Sequence, residues 1–331
     1  MVNVAFELGN QTLEELEYSE NIDLIRYDSL LIMGMGGSGV AGDVLSLLSN
    51  EVASKNIIVR KSYSVPKKIM EVNPFCLFIS YSGNTEETLS GVKDAIKNNL
   101  DWAVISSGGK LIDLATEHNK EYIKIPDGLQ PRAAFGYLTQ AVCKIVDVVE
   151  GTNFLKELRD VGDYLNEILN KKEDSAIFIE AKKIAKQVNK KTSVIYAGTD
   201  LCELVGSRWK TQINENAKSK AFVGSIPEVH HNEILSWDAD LEGSKSNYVL
   251  ILLRDNSENS QIAKRLDLTQ KLLGEKVEII NIEVKSQSTT LFKLMELVLL
   301  GDLFSLSLAD ELNMIPEDIE GIENLKKLLE D

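Results

Sequence analysis

The chain has 331 residues, 44% of them hydrophobic and 26% charged, which is enough for two domains of ordinary size with apolar cores. Its formal net charge is −15. Nucleic-acid binding requires a basic surface, so the charge argues against a nucleic-acid-binding protein. The most apolar helical segment, Leu291 to Leu308, is interrupted by three charged residues and is too short and too charged to span a bilayer.

Short apolar and β-branched runs alternate with helical patterns from residue 29 to about residue 150. This alternation predicts βαβ units, and therefore a parallel sheet flanked by helices. The predicted strands are Leu30–Met33, Ile57–Arg60, Cys76–Ser80, Ala103–Ser106 and Tyr122–Ile125.

The same pattern restarts after residue 151. Two helical segments, 154–170 and 174–190, lead into a second series of strands. We therefore predict an α/β protein with two similar domains, 1–152 and 153–331, the second of which ends in a helical tail. The strands predicted in the second domain are Ser193–Ala197, Ala221–Gly224, Tyr248–Leu253 and Val277–Ile282.

The three cysteines, Cys76, Cys143 and Cys202, lie far apart among apolar neighbours and form no Cys-x-x-Cys pair. This pattern predicts reduced core residues in a cytoplasmic protein rather than a disulfide or a zinc site. The N-terminal segment has no basic region followed by a long apolar run, so no signal peptide is expected.

Two loops rich in small residues each stand between a buried-looking strand and a helical pattern. The first loop, residues 34–39, reads Gly-Met-Gly-Gly-Ser-Gly, and the second loop, residues 80–85, reads Ser-Tyr-Ser-Gly-Asn-Thr. A helix N-terminus presents free N–H groups and a partial positive charge, so it attracts anions. Two such termini predict one phosphate group that is held from two sides.

The first loop alone leaves alternatives open. It matches the Gly-x-Gly-x-x-Gly dinucleotide fingerprint, but the next strand ends in Arg60-Lys61, where an NAD site has an acidic residue. An arginine there would suit NADP, so an NADP-dependent oxidoreductase stays open, as does a packing turn without a ligand. The second loop favours phosphate, because Ser80, Ser82 and Thr85 supply three hydroxyls and helix capping accounts for only one.

At these loops the sequence resembles the sugar isomerase (SIS) domain family, whose members bind phosphosugars. Four further stretches extend the resemblance, over nearly the whole chain, to the bifunctional phosphoglucose/phosphomannose isomerases. They are residues 131–136 (PRAAFG), 214–218 (NENAK), 227–233 (PEVHHNE) and 325–326 (LK).

The resemblance implies two SIS domains, each a flavodoxin-like parallel sheet flanked by helices, in a tight homodimer that uses no metal and no cofactor. It implies reversible conversion of glucose 6-phosphate, and of mannose 6-phosphate, to fructose 6-phosphate through an enediolate. The implied phosphate-binding residues are Gly36, Gly37, Ser38, Ser80, Ser82 and Thr85.

The resemblance also implies the catalytic residues. Glu215 would be the base, and Arg132 would lie over the reacting carbons. His231, contributed by the neighbouring subunit, would open the sugar ring, with Lys326 as its partner. In single-function glucose isomerases of the superfamily a glutamine lies near C1 and C2; its counterpart here should fall near 316–319, and the mannose activity rests on the overall resemblance.

Each of these residues also has a plainer interpretation. Most glutamates lie on the surface, as Glu215 would without the resemblance. Arg132 could stabilise developing negative charge, or it could be a helix-start arginine paired with Asp127. Lys326 is predicted on the apolar, buried face of the last helix, where its stem could simply cover apolar surface.

The chain has three histidines, of which His118 lies in a polar helix end that is expected to be solvated. If the segment around His230 and His231 is extended, the two rings point to opposite faces, so only one can enter the site. The resemblance selects His231 and leaves His230 as the fallback. Two surface histidines without a catalytic role are the remaining alternative.

Two further classes compete with an isomerase. A non-catalytic phosphosugar sensor is the main alternative, but a basic helix-turn-helix segment is not visible in this acidic chain. The isomerase half of an amidotransferase would need a glutaminase domain with an N-terminal cysteine, and the start of the sequence offers none.

Overall fold

The computed structural model describes residues 1–18, 26–52, 55–285 and 288–330. The chain divides into two compact units. The N-terminal unit is Glu7–Glu167, and the C-terminal unit is Met1–Phe6 with Ile168–Asp331. Helix α1, Val2–Phe6, belongs to the C-terminal unit.

The N-terminal unit contains one sheet and the helices that flank it. Its strands are β1 (Glu17–Tyr18), β2 (Ser29–Met33), β3 (Asn56–Arg60), β4 (Phe75–Ile79), β5 (Trp102–Ser106) and β6 (Tyr122–Lys124). Its helices are α2 (Leu8–Leu13), α3 (Gly36–Val52), α4 (Lys67–Met70), α5 (Glu86–Lys97), α6 (Gly109–Glu117), α7 (Phe135–Glu150) and α8 (Phe154–Ile168), with a 3₁₀ turn at Pro131–Ala133.

The sheet of the N-terminal unit has the strand order β1-β6-β5-β4-β2-β3. The five strands β2 to β6 are parallel. Counted from β2 as the first, they follow the flavodoxin-like order 2-1-3-4-5, which confirms the predicted fold class. Strand β1, which the sequence did not predict, adds an antiparallel edge to β6. Every residue of β2, β4 and β5 is buried, as expected for central strands covered on both faces.

The C-terminal unit repeats this plan with a smaller sheet. Its strands are β7 (Thr192–Ala197), β8 (Ala221–Ser225), β9 (Tyr248–Arg254) and β10 (Glu278–Glu283), in the parallel order β10-β9-β7-β8. Its further helices are α9 (Ala176–Val188), α10 (Asp200–Ala217), α11 (Leu241–Asn247), α12 (Ser260–Leu273), α13 (Thr290–Glu311) and α14 (Glu320–Glu330), with 3₁₀ turns at Lys172–Asp174, Glu228–His231 and Glu233–Asp238.

Helix α8 is packed into the N-terminal unit. A Cβ on Gly162 would lie 2.9 Å from the carbonyl oxygen of Gly9, so the absence of a side chain lets α8 approach α2 closely. For this reason the compact unit extends to Glu167, beyond the joint that the sequence predicts after residue 152. The domain boundary after residue 152 therefore stays a prediction.

The three cysteines lie in the apolar interior. Cys76, Cys143 and Cys202 are all buried and form no disulfide, as predicted. Helix α13 is buried over nearly its whole length. Within the part of the chain that the structure describes, none of the helices combines the length and the apolarity needed to cross a bilayer.

Candidate active site

The two glycine- and hydroxyl-containing loops meet at one edge of the N-terminal sheet. The first loop, residues 34–39, follows β2, and the second loop, residues 80–85, follows β4. These strands are parallel neighbours, so their carboxyl ends lie side by side. The strand order reverses between β2 and β4, and open α/β sheets bind ligands at such a switch point.

The first loop runs directly into a long helix. Helix α3 begins at Gly36, which has the left-handed φ of 53°. A Cβ on Gly37 would lie 3.1 Å from the carbonyl oxygen of Pro131, so the segment that carries Arg132 packs against this turn. The first N–H groups of α3 have no acceptor within the helix, which suits them to an anion.

The second loop is fixed by the loop that follows β5. Gly83 has a φ of 67°, and a Cβ there would lie 1.8 Å from the carbonyl oxygen of Gly108. The carbonyl oxygen of Tyr81 accepts hydrogen bonds from the amide of Ser107 at 3.0 Å and from its hydroxyl at 2.7 Å. Only glycine therefore fits at position 83, and the loop is held before any ligand binds.

The hydroxyls of the two loops contact one another or the loop backbone. Ser38 Oγ accepts the Tyr81 amide at 3.0 Å, which ties the two loops together. Ser80 Oγ and Thr85 Oγ1 lie 2.8 Å apart, and Ser82 Oγ accepts the Asn84 amide at 3.3 Å. Of the four hydroxyls on Ser38, Ser80, Ser82 and Thr85, one donates its proton in the Ser80–Thr85 contact and the others act as acceptors in these contacts, which leaves three protons for a ligand.

Thr85 occupies the N-cap position of α5, but its side chain makes no capping hydrogen bond. The sequence suggested that capping would account for one of the hydroxyls. Instead, the Thr85 hydroxyl contacts Ser80, which is buried at the end of β4. Capping of α5 therefore accounts for none of the hydroxyls, which contact one another or the loop backbone instead.

Arg132 is 4% exposed and lies in the 3₁₀ turn that precedes α7. The helix begins at Phe135, three residues after Arg132. The Nη1 atom of Arg132 lies 3.5 Å from Gln130 Oε1. Because the turn packs against Gly37, the structure brings Arg132 next to the first loop.

Two residues that sequence reasoning missed hold this arginine-bearing turn. Gln11 Nε2 donates to the carbonyl of Ala133 at 2.8 Å, and Gln11 Oε1 accepts the Gly136 amide at 3.0 Å. The Tyr81 hydroxyl accepts the amide of Leu129 at 2.9 Å. The position of Tyr81 inside the second loop was a usable signal, whereas nothing in the sequence links Gln11 to residues more than 120 positions away.

Glu215 lies in the last turn of α10 and is partly exposed. A buried polar face joins this helix to α13. Arg208 Nη2 donates to both carboxylate oxygens of Asp302, at 2.9 and 2.7 Å, and Gln212 donates to the same carboxylate at 2.6 Å. Further along, Asn216 donates to the hydroxyl of Ser305 at 2.9 Å.

This polar face fixes the rotation of α10. Its members are spaced four residues apart and contact α13: Arg208, Gln212 and Asn216. Glu215, next to Asn216 in the chain, therefore lies at the rim of this buried face. Removing one partner of the buried Arg208–Asp302 pair would leave an uncompensated charge, so the pair strongly specifies this geometry.

The two adjacent histidines have different surroundings. His230 is partly buried: Arg265 donates to its Nδ1 at 3.1 Å, so its Nε2 carries the proton and donates to Thr269 Oγ1 at 2.8 Å. Burial lowers the pKa of His230, and the charge of Arg265 lowers it further. His231 is exposed. The segment is a 3₁₀ turn, so the extended backbone that was considered for it does not occur, and the two histidines differ in burial.

The turn that carries His231 is anchored on both sides. On one side His230 contacts α12. On the other side Glu233 Oε1 accepts the Tyr196 hydroxyl at 2.8 Å, and Trp237 Nε1 donates to the same hydroxyl at 3.0 Å. His231 is therefore presented to solvent on a fixed stretch of backbone.

Lys326 lies on α14, as predicted, but not on a buried face. Within the described chain, Lys326 is exposed together with the apolar residues that share its face, Ile322, Leu325 and Leu329. The expectation of a buried lysine was wrong, because the side chains described in α14 do not become buried against the rest of the chain.

The C-terminal unit has its own switch point, between β7 and β9, and a buried ion pair follows β9 there. Asp255 follows β9 and pairs with Lys293 at 2.9 Å, and both residues are more than nine-tenths buried. Burial raises the pKa of Cys202, in the first turn of α10, to about 12, and the charge of Asp255 raises it further. An internal carboxylate at this position makes it less suited to a phosphate dianion than the first loop.

The structure therefore brings the six predicted phosphate-binding residues and Arg132 together in the N-terminal unit. Glu215, His231 and Lys326 lie in the C-terminal unit on three separate elements: α10, the 3₁₀ turn at Glu228–His231, and α14.

Comparison with known proteins identifies the family. The family described as bacterial phospho-glucose isomerase C-terminal SIS domain matches residues 179–329. A bifunctional phosphoglucose/phosphomannose isomerase of Aquifex aeolicus is 34% identical over 310 residues, which cover 93% of this chain and 92% of the relative. A D-glucosamine-6-phosphate 4-epimerase of Sulfolobus acidocaldarius is 29% identical, over 91% of this chain and 89% of the relative.

A solved structure with little sequence similarity shares the fold. The crystal structure of a hypothetical protein from Thermus thermophilus superposes with a TM-score of 0.73 at 14% identity, covering 99% of this chain and 89% of that one. From the length and level of the sequence match, the chain belongs to the family of bifunctional phosphoglucose/phosphomannose isomerases and is an isomerase.

Proposed function

We propose that this isomerase interconverts glucose 6-phosphate, and mannose 6-phosphate, with fructose 6-phosphate. The observation that carries the proposal is the meeting of two hydroxyl-bearing loops at the switch point of the N-terminal sheet. Each loop stands at the start of a helix, where N–H groups and the helix dipole favour a phosphate dianion. The Aquifex aeolicus relative, named for both hexose phosphates, supports this choice of substrates.

The phosphate is bound by neutral donors in this proposal. Gly36 and Gly37 supply amides at the start of α3, and the hydroxyls of the two loops supply the remaining hydrogen bonds. The residues proposed to bind it are Gly36, Gly37, Ser38, Ser80, Ser82 and Thr85. Neutral donors let the substrate leave readily, since a paired arginine would hold the dianion more tightly.

Glu215 is the general base. Aldose–ketose interchange takes a proton from C2 of the aldose, forms an enediolate, and returns the proton to C1, while the hydroxyl proton passes from O2 to O1. One carboxylate can perform both transfers, and the partial exposure of Glu215 leaves its carboxylate accessible. Arg132 stabilises the negative charge that develops on the enediolate oxygens, for which its burial beside the first loop is favourable.

His231 opens the closed sugar ring, and Lys326 assists at the ring oxygen. The contacts of His230 with Arg265 and Thr269 support this assignment, because they leave His231 as the accessible histidine of the pair. We propose that the enzyme is a homodimer in which His231 serves the site of the neighbouring subunit, and that it needs no metal and no cofactor. The buried free cysteines support a cytoplasmic location.

A coupled assay tests the proposed reaction. Purified protein is incubated with glucose 6-phosphate or mannose 6-phosphate, and fructose 6-phosphate is measured, with and without a chelator. We expect product from both aldoses, unaffected by the chelator. Glucosamine 6-phosphate serves as the comparison substrate because of the epimerase relative. Absence of product from both aldoses, or epimerisation of glucosamine 6-phosphate alone, would contradict the proposal; binding without turnover would indicate a sensor.

A further inference from the structure

Lys218 ends α10 in an unusual conformation. It occupies the C-cap with φ 51° and ψ 23°, in the left-handed region where glycine or asparagine usually stands. A lysine in this region is strained, and strain of this kind persists when the surrounding structure imposes it. The chain has comparable lysines at Lys172 (φ 45°) and Lys190 (φ 64°), so the backbone alone does not distinguish Lys218.

The ammonium group of Lys218 is what distinguishes it. Lys218 Nζ donates to the carbonyl of Glu215 at 2.8 Å, to the carbonyl of Ile315 at 2.7 Å and to the carbonyl of Pro316 at 3.2 Å. An ammonium has three protons, and each one has a carbonyl here. The carbonyl of Glu215 is among the last carbonyls of α10, which have no N–H donor within the helix and favour a cation.

These three bonds connect two parts of the C-terminal unit that the proposed mechanism uses. One part is the main chain of Glu215, the proposed base. The other is the segment after α13, which leads into α14 and its Lys326. The left-handed backbone at position 218 turns the side chain back so that it reaches both.

Water can replace the ammonium at these carbonyls, because the contacts are exposed. Losing the ammonium should therefore leave folding nearly intact while loosening the spacing between Glu215 and the 315–316 backbone. Proton transfer is sensitive to such spacing, since a displacement of about 1 Å can lower a rate by about 100-fold.

We propose that Lys218 is a positioning residue that sets the place of the Glu215 main chain against the 315–316 segment, and that turnover depends on it. The proposal rests on the assignment of Glu215 as the base.

Two substitutions separate positioning from stability. Lys218→Gly removes the ammonium and relieves the backbone strain, whereas Lys218→Met removes the ammonium and keeps the strain. We expect Lys218→Gly to be the more stable of the two by thermal unfolding, while both lose about 10- to 100-fold in kcat with little change in KM. Lys190→Gly, which relieves similar strain at an exposed lysine, is the control and should keep wild-type kcat.

The kinetic isotope effect distinguishes positioning of the base from a purely structural role of Lys218, which would leave this effect unchanged. With glucose 6-phosphate deuterated at C2, the effect on kcat should be larger in both Lys218 variants than in the wild type, because a misplaced base makes proton transfer more rate-limiting. Wild-type kcat in Lys218→Gly and Lys218→Met would overturn the proposal. Glu215→Gln is assayed in parallel. If it is inactive while the Lys218 variants are active, only the positioning role of Lys218 is rejected. If Glu215→Gln is itself active, the assignment of Glu215 as the base is rejected.

Discussion

Replacing Glu215 by glutamine should lower kcat by about 10²- to 10⁴-fold, while fructose 6-phosphate should still bind. The amide has nearly the shape of the carboxylate but cannot accept the C2 proton. The polar face of α10 that contacts α13 does not include this side chain, so the helix should keep its place. Steady-state kinetics measure the loss, and titration calorimetry with fructose 6-phosphate measures the retained affinity.

Glu203→Gln is the matched control, because Glu203 lies on the same helix, three turns away, and is also partly exposed. It should retain wild-type kcat. If Glu215→Gln keeps wild-type activity as well, another group is the base.

The same variant tests whether a site uses two subunits. Mixed with inactive His231→Ala protein and allowed to exchange subunits, Glu215→Gln should recover about a quarter of wild-type activity, because half of the dimers are mixed and each has one intact site. If exchange occurs and no activity returns, each chain supplies both residues to its own site.

Replacing Gly83 by alanine should strongly weaken phosphate binding at the second loop. The new Cβ would stand 1.8 Å from the carbonyl oxygen of Gly108, on a backbone with φ 67°. The loop must then move, taking Ser82 and Thr85 with it. We expect kcat/KM to fall by about 100-fold or more, mainly through a higher KM, because the loop no longer fits the phosphate.

Gly151→Ala provides a close control. Gly151 has the same φ of 67°, and no atom lies within 4 Å of the Cβ that alanine would add. Its substitution should cost about 1–2 kcal/mol of stability and leave KM unchanged. If Gly83→Ala shows only this loss of stability, with normal KM, the second loop does not bind the phosphate.

The order of the elements and the place of the two loops could be predicted because their signals are local. Buried parallel strands such as β2 and β4 are continuous apolar runs, and the glycines and hydroxyls follow them directly in the chain. The strand order then places the loops side by side without further information, since it reverses between these strands.

Contacts made between distant parts of the chain could not be predicted in this way. Gln11 holds the turn of Arg132 from the far end of the sequence, and Lys218 reaches carbonyls almost 100 positions away. The 3₁₀ turn at His231 is likewise held by contacts with distant residues, those of His230 with Thr269 and of Glu233 with Tyr196. The exposure of α14 was missed for a different reason: an amphipathic pattern predicts a face that packs, but not what it packs against.

The most direct test of the account is the structure of the protein crystallised with fructose 6-phosphate. The account predicts that the phosphate lies between residues 34–39 and 80–85, with hydrogen bonds from the amides that open α3 and from the loop hydroxyls, and that the Glu215 carboxylate faces C1 and C2. A phosphate bound elsewhere, or a Glu215 side chain directed away from the sugar, would contradict it.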